Sequence, residues 1–272
     1  MRFSARRARA PLDRWVEGLW LYEGDGREAP GARWSERVLP SGKLQLIVDV
    51  SPGGPCDSVA GGMVAVGAHA QVCVVDFEAR MVLAGVAFRA GGAAPFFTLP
   101  LGELADTDAP LDLLWGGLAC ELRERLHEAR GDAARFAVLE RALLSRLQSD
   151  ARRCDPRLHP AVAMALTQWR ADTSGPSVSA VVERAGLSAR RFTELFTAQV
   201  GQPPKRYSRV CRFQAALQRL HADAGFDGAE LALACGYHDQ AHFNHDFRAF
   251  SGLTPTQYRA LRTEHANHAR LA

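Results

Sequence analysis

Short apolar runs broken by Gly and Pro fill the first hundred residues, at 15–22, 44–50, 63–66, 72–77 and 81–88. Their length and their richness in valine predict strands, and several in succession predict a β-sandwich or partial barrel. The period then changes. Residues 111–130 read as helical, and within 132–148 Phe136, Leu139, Leu143, Leu144 and Leu147 recur at three and four, the stripe of an amphipathic helix. That stripe is a candidate seam between two copies of the chain. The Asp155-Pro156 step and the nearby Pro160 break any continuing helix. The pattern therefore divides the chain into a β-rich part with a helical end at 1–150, a linker at 151–160, and an all-helical part from 156 to 262, with a polar tail at 263–272. The fold class is α+β.

The helical part says the same thing twice. Ala185-Gly186-Leu187-Ser188 is followed by Phe192, Phe196, Gly201, Pro204 and Tyr207, and Cys235-Gly236-Tyr237-His238-Asp239 by Phe243, Phe247, Gly252, Pro255 and Tyr258. From Ser188 and Asp239 onward every match is offset by fifty-one positions. Each copy is a small-residue helix, a glycine turn, a residue able to cap the next helix, and a second helix whose aromatics share one face. This is a helix-turn-helix repeated, and two such units predict a grip on double-stranded DNA.

Between the copies, residues 205–222 read as one helix in which Tyr207, Val210, Cys211, Ala215, Leu217 and Leu220 alternate with Lys205, Arg206, Arg209, Arg212 and Arg219. Eighteen residues give roughly 27 Å, near the ~34 Å between successive major-groove faces. The residues left outward on the second helix of each unit are the candidate base readers: Arg190, Thr193 and Glu194 in the first, Gln240, Ala241, Asn244 and His245 in the second. Ser188, Arg191, Thr197, Lys205, Arg206, Arg209 and Arg248 are candidate phosphate contacts. An alternative role for Arg190 is an exposed ion pair with Glu194 at i, i+4. His238, His242 and His245 are close enough in sequence to raise a metal site, but His242 reads better as packed near the turn, and no metal or other cofactor is expected.

The string Ala234-Cys235-Gly236-Tyr237-His238-Asp239-Gln240-Ala241-His242-Phe243, with Phe247-Arg248 and Gly252-Leu253-Thr254-Pro255, closely resembles the AraC/XylS family of transcription regulators. The resemblance covers about 156–262. It implies a bipartite DNA-binding domain of seven helices, recognition helices near 188–200 and 239–251, and RNA polymerase as a partner. His245 stands where that family usually carries arginine. Leu39-Pro40-Ser41-Gly42 and Gly85-Val86-Ala87-Phe88-Arg89-Ala90-Gly91-Gly92, followed by Leu111 with Leu113-Leu114, resemble more loosely the N-terminal sensor region of one branch of these regulators. They imply an effector-sensing or dimerising role, with no effector-binding residue identified.

Charge agrees with this division. Residues 1–155 hold 19 Lys and Arg against 21 Asp and Glu, and the remainder holds 14 against 9, so the basic excess lies with the repeats, as a phosphate-binding surface requires. No apolar run approaches the ~20 residues that cross a bilayer, and the Arg-rich start leads into no hydrophobic signal region, so a cytoplasmic protein without membrane contact is expected. Cys56, Cys73, Cys120, Cys154, Cys211 and Cys235 form no Cys-x-x-Cys pair and read as reduced thiols.

The leading expectation is a DNA-binding regulator that responds to a small-molecule effector and works with or without a second copy, and not an enzyme. The competing reading is an enzyme fused to a DNA-binding module. A metal-dependent β-barrel would want several histidines, and the β-rich region offers only His69. A repair transferase would want a zinc cluster or a Pro-Cys-His site, whereas Cys56 is followed by Asp57. A third reading is an architectural DNA-binding protein without effector control. Pro95-Phe96-Phe97 with the paired Gly91-Gly92, and Trp20, Tyr22 and Trp34, read as core before they read as the lining of a ligand pocket, the basic start as a disordered terminus before a regulatory arm of the DNA-binding half, and His265 and His268 as solvated.

Overall fold

A computed structural model of the chain describes residues 2–24, 32–56, 59–150, 157–171, 176–222 and 227–271. The N-terminal half is built on a six-stranded antiparallel sheet, made of β1 (Arg2–Arg7), β2 (Val16–Glu23), β4 (Gln45–Asp49), β5 (Met63–Val66), β7 (Val82–Phe88) and β8 (Asp108–Pro110). Its spatial order is β1-β2-β7-β4-β5-β8. A second sheet of β3 (Arg33–Val38), β6 (Cys73–Glu78) and β9 (His268–Arg270) runs in the order β6-β3-β9.

Side-chain alternation along the strands serves two cores. Leu19 and Leu21, Leu46 and Val48, Met63 and Ala65, and Ala84, Val86 and Phe88 face one side, where α1 (Leu111–Trp115), α2 (Gly117–Glu128) and α3 (Asp132–Asp150) cover them. Their neighbours Trp20, Tyr22, Ile47, Val64, Val66 and Leu83 face the three-stranded sheet and meet Trp34, Val75 and Phe77. The expected sandwich is present, with a helical layer behind it. Gly85 pairs with Trp20 across β2 and β7, and a Cβ there would stand 2.1 Å from the indole, so only glycine lets that ring lie flat on the sheet. Phe96 and Phe97 are core, as the sequence implies.

Three expectations are corrected. The basic start is no disordered arm: β1 pairs along its whole length with β2, and Arg2 and Arg6 reach Asp132 (2.9 Å) and Glu140 (2.7 Å) on α3. The stripe of α3 is no free seam, because Phe136, Leu139 and Leu143 are buried in the chain's own core. The tail is not solvated throughout. It returns to the N-terminal half as β9, where His268 Nδ1 lies 2.8 Å from the carboxylate of Glu36, itself 6% exposed, and the backbone pairs with β3. Burial of Glu36 requires polar partners, and the tail supplies the main one; the hydrogen bond from His268, helped by one from Trp34, holds that carboxyl below its ordinary value against the opposing effect of burial.

The C-terminal half contains α4 (Pro160–Ala171), α5 (Val178–Ala185), α6 (Ala189–Val200), α7 (Pro204–Ala222), α8 (Gly228–Ala234), α9 (Gln240–Ser251) and α10 (Pro255–Leu261), the seven helices that the resemblance implies. They form two cores sharing α7: Tyr207 goes to the first unit, Val210, Phe213, Leu217 and Leu220 to the second. The linker expected at 151–160 falls largely on residues 151–156, which lie outside the described residues, as does Cys154.

Candidate nucleic-acid interface

In the first unit α5 starts on Ser177, whose hydroxyl accepts from the Ala180 amide, and ends at Gly186 in the left-handed region (φ 64°). The turn delivers Ser188, whose hydroxyl accepts from the Arg191 amide at 3.2 Å and starts α6. Phe192, Phe196 and Val200 are buried, with Phe196 between Trp169 and Tyr207 at centroid distances of 5.5 Å to each. The apolar stripe thereby fixes which face remains outward. Arg190 stands there with its side chain 90% exposed, its Nε donating to Glu194 Oε1 at 2.9 Å. Thr193 and Arg191 are exposed beside it. The hydroxyl of Thr193 donates to the Ala189 carbonyl.

The second unit repeats the plan with charge in place of hydroxyls. Asp227 starts α8 by accepting from the Ala229 and Glu230 amides. Asp239 starts α9 by accepting from the His242 amide at 2.7 Å, and this bond, with a further one from His238, holds its carboxyl below the usual value. Phe243, Phe247 and Phe250 are buried, the last two each 5.2 Å from Phe213. Ala241, Asn244, His245 and Arg248 line the exposed face of α9. Gln240 is exposed too, but its amide folds back over Gly228, at whose position a Cβ would meet Nε2 at 2.3 Å. His242 stacks edge-on to Tyr237, and among the described residues no group of three His, Cys, Asp or Glu could hold a metal ion.

Besides Ser188, which caps its own helix, three candidate phosphate contacts meet partners from other elements of the protein. Arg209 makes a two-pronged bond to Asp246, Nη2 to Oδ1 at 2.7 Å and Nε to Oδ2 at 3.2 Å. Asp246 is 2% exposed. Burial alone would raise its pKa; the guanidinium of Arg209 outweighs burial and holds the carboxyl below its ordinary value. Arg206 pairs with Asp106 of the N-terminal half. Thr197 faces the turn at Leu101–Leu104, where a Cβ on Gly102 would lie 2.8 Å from its methyl. Lys205 remains exposed. Asp246 was missed as a structural residue. The signal lay in the repeat itself, since its counterpart fifty-one positions earlier is the apolar Leu195.

Comparison with known proteins agrees with this arrangement. Residues 181–261 match a family model described as a helix-turn-helix domain, and residues 5–110 match a domain of unknown function, DUF6597. The HTH-type transcriptional regulator GadX of Escherichia coli is 46% identical over 48 residues, 18% of this chain and 17% of GadX. An uncharacterized HTH-type transcriptional regulator of Haemophilus influenzae is 30% identical over 122 residues, 45% of this chain and 38% of the relative. The chain thus spans less than half the length of these relatives. A transcriptional regulator structure from Chromobacterium violaceum, of the AraC-type DNA-binding class, is 26% identical and covers 37% of this chain and 90% of its own, with a TM-score of 0.34. Two helix-turn-helix units in one register, closed by the motif at 234–255, place the C-terminal half of this chain among the AraC-type helix-turn-helix domains.

Proposed function

We propose that this protein is a sequence-specific DNA-binding transcription regulator that inserts α6 and α9 into adjacent major grooves. One observation carries the reading: both units expose the N-terminal side chains of their second helix, Arg190 and Thr193 in one, Ala241, Asn244 and His245 in the other, while the aromatic faces are buried. That is the end of a recognition helix that meets base edges. Linker helix α7, of 19 residues, spans about 28 Å and suits the separation of two groove faces. The relatives above, all named as transcriptional regulators, support the same reading. On it, residues 156–262 bind DNA in the cytoplasm, residues 1–150 sense a small molecule or bring two copies together, and RNA polymerase is the downstream partner. An effector acts only if its affinity differs between two states of the chain.

The test is selection of duplexes from a random pool by the full-length protein at fixed salt. An asymmetric motif with two read blocks about one helical turn apart is the expected result, and no enrichment over input would sink the reading. Replacing Arg190→Ala then separates base contact from ion pairing. A bidentate arginine contributes roughly 1–3 kcal/mol of discrimination, so the variant should lose about tenfold or more on the selected duplex and little on random DNA. Equal losses on both would remove Arg190 from base readout.

A further inference from the structure

The segment between β5 and β6, residues 67–72, touches both helix-turn-helix units at the same point of the repeat. It is anchored in the N-terminal half: the Gly67 amide donates to the Thr107 carbonyl at 2.9 Å and the Ala70 amide to Asp106 Oδ1 at 2.8 Å, and His69 Nε2 lies 2.8 Å from Asp108 Oδ1. On its other side the Ala68 carbonyl accepts from Gln202 Nε2 at 2.6 Å, and both residues are buried. Gln202 follows Gly201, the left-handed glycine that ends α6, and a Cβ at Gly201 would lie 3.5 Å from the Ala68 methyl. Ala70 is buried in the core of the second unit with Phe250 and Leu253, and Val72 packs on the same core. Val72 also faces Gly252, the left-handed glycine that ends α9, 3.9 Å from where its Cβ would be.

Gly201 and Gly252 are equivalent positions, so one short segment meets the C-terminal ends of both recognition helices. Ala68 and Val72 are four residues apart, at most about 14 Å along an extended chain. The second carboxylate oxygen of Asp106 takes Arg206 at the start of α7, which ties the segment to the linker helix as well. The base-reading ends of α6 and α9 lie about 18 Å away along each 12-residue helix. The segment therefore constrains the pair without covering the residues that would read DNA.

We propose that residues 67–72, seated by Asp106, are a positioning element that sets the separation and angle of the two recognition helices and thereby the spacing between the two DNA blocks the chain accepts. This rests on the DNA-binding reading above. The loop itself need touch no nucleotide.

The test uses full-length protein and duplexes carrying the two selected blocks with the spacer shortened or lengthened by one and two base pairs. Each step moves the blocks by about 3.4 Å and roughly 34°. Affinity is measured at fixed salt for the unaltered chain and for Asp106→Gly and Val72→Ala. Glycine accepts the positive φ of 52° at position 106 while removing both carboxylate contacts, and Val72→Ala loosens the opposite arm, so each variant checks the other. The unaltered protein should lose at least tenfold on an altered spacer. Each variant should lose about threefold or less, with affinity for a single-block duplex unchanged, which also reports that both units remain folded. Variants that discriminate spacers as sharply as the unaltered chain would overturn the positioning role. So would an unaltered chain that prefers the selected blocks at every spacing. No preference over random DNA at all would remove the DNA-binding reading, and the positioning role with it.

Discussion

The two helix-turn-helix units follow one backbone plan, yet different forces hold their recognition helices. In the first, Leu195 sits beside Phe192 and Phe196 in an apolar cluster completed by Trp169 and Tyr207. In the second, the equivalent position is Asp246, buried, and α7 contributes Arg209 to meet it. The caps differ in the same sense, a neutral Ser188 in one and an ionised Asp239 in the other. A shared register therefore does not imply shared energetics. The first unit is held by packing, and the second has added an ion pair whose worth depends on both partners being present.

The sharpest way to break this comparison is Arg209→Ala. Asp246 is buried while the Arg209 side chain is 37% exposed, so removing the cation strands a buried carboxylate that solvent partly screens, at a cost of about 2–3 kcal/mol, measurable by chemical denaturation of the full chain. The double variant Arg209→Ala with Asp246→Leu gives the second unit the residue type of the first and should recover most of that loss. If the single variant cost under about 1 kcal/mol, the pair would not be holding α9.

A smaller effect is expected from Ser188→Ala, which removes the hydroxyl cap of α6 and should cost about 1 kcal/mol. Its signature is faster hydrogen exchange at the Arg191 amide, with the amides of α9 unchanged. Spread of the effect to α9 would show that the units are more tightly coupled than their separate cores imply.

The smallest difference is that due to ionisation, and it appears only in acid. Asp239 and Asp246 both have carboxyl groups held below their ordinary value. A carboxylate of that kind stabilises the fold above its unfolded pKa of about 4, and the contribution disappears as pH falls through the lower folded value. The second unit should therefore loosen before the first on acidification below about pH 4. Amide exchange at His242 against Arg191 would follow it, and simultaneous loosening would contradict the contrast.

Much of the helical half was legible because its signals are local. Ser188, Asp239, Gly186 and Gly236 act within a turn of where they stand, and the aromatics at i and i+4 declare a buried face without reference to the rest of the chain. The valine-rich strands were legible for a similar reason. The strand at Arg33–Val38 was not, because its sequence is polar and the main partner of its buried Glu36 is His268, 232 positions later. The candidate site divides the same way. The exposure of Arg190, Thr193, Asn244 and His245 follows from helical periodicity. The engagement of Arg206, Arg209 and Thr197 does not, since each partner comes from a distant element.

The stretches resembling a sensor region show the same limit. Leu39 lies in the core of the second unit, the Pro40 carbonyl accepts from Gln214 on α7, and a Cβ at Gly91 would press on Leu158. Their residues could be recognised in the sequence, but their contact with the helical half could not. By itself the sequence determined the repeat, the caps, the buried aromatic faces and the strand alternation, since all of these are set by backbone sterics and burial over a few residues. Only the tertiary structure decided which cation meets Asp246, that the tail closes a sheet begun at Arg33, and that one short segment meets the ends of both recognition helices. Those are choices among chemically equivalent partners far apart in the chain, and only the packed geometry distinguishes them.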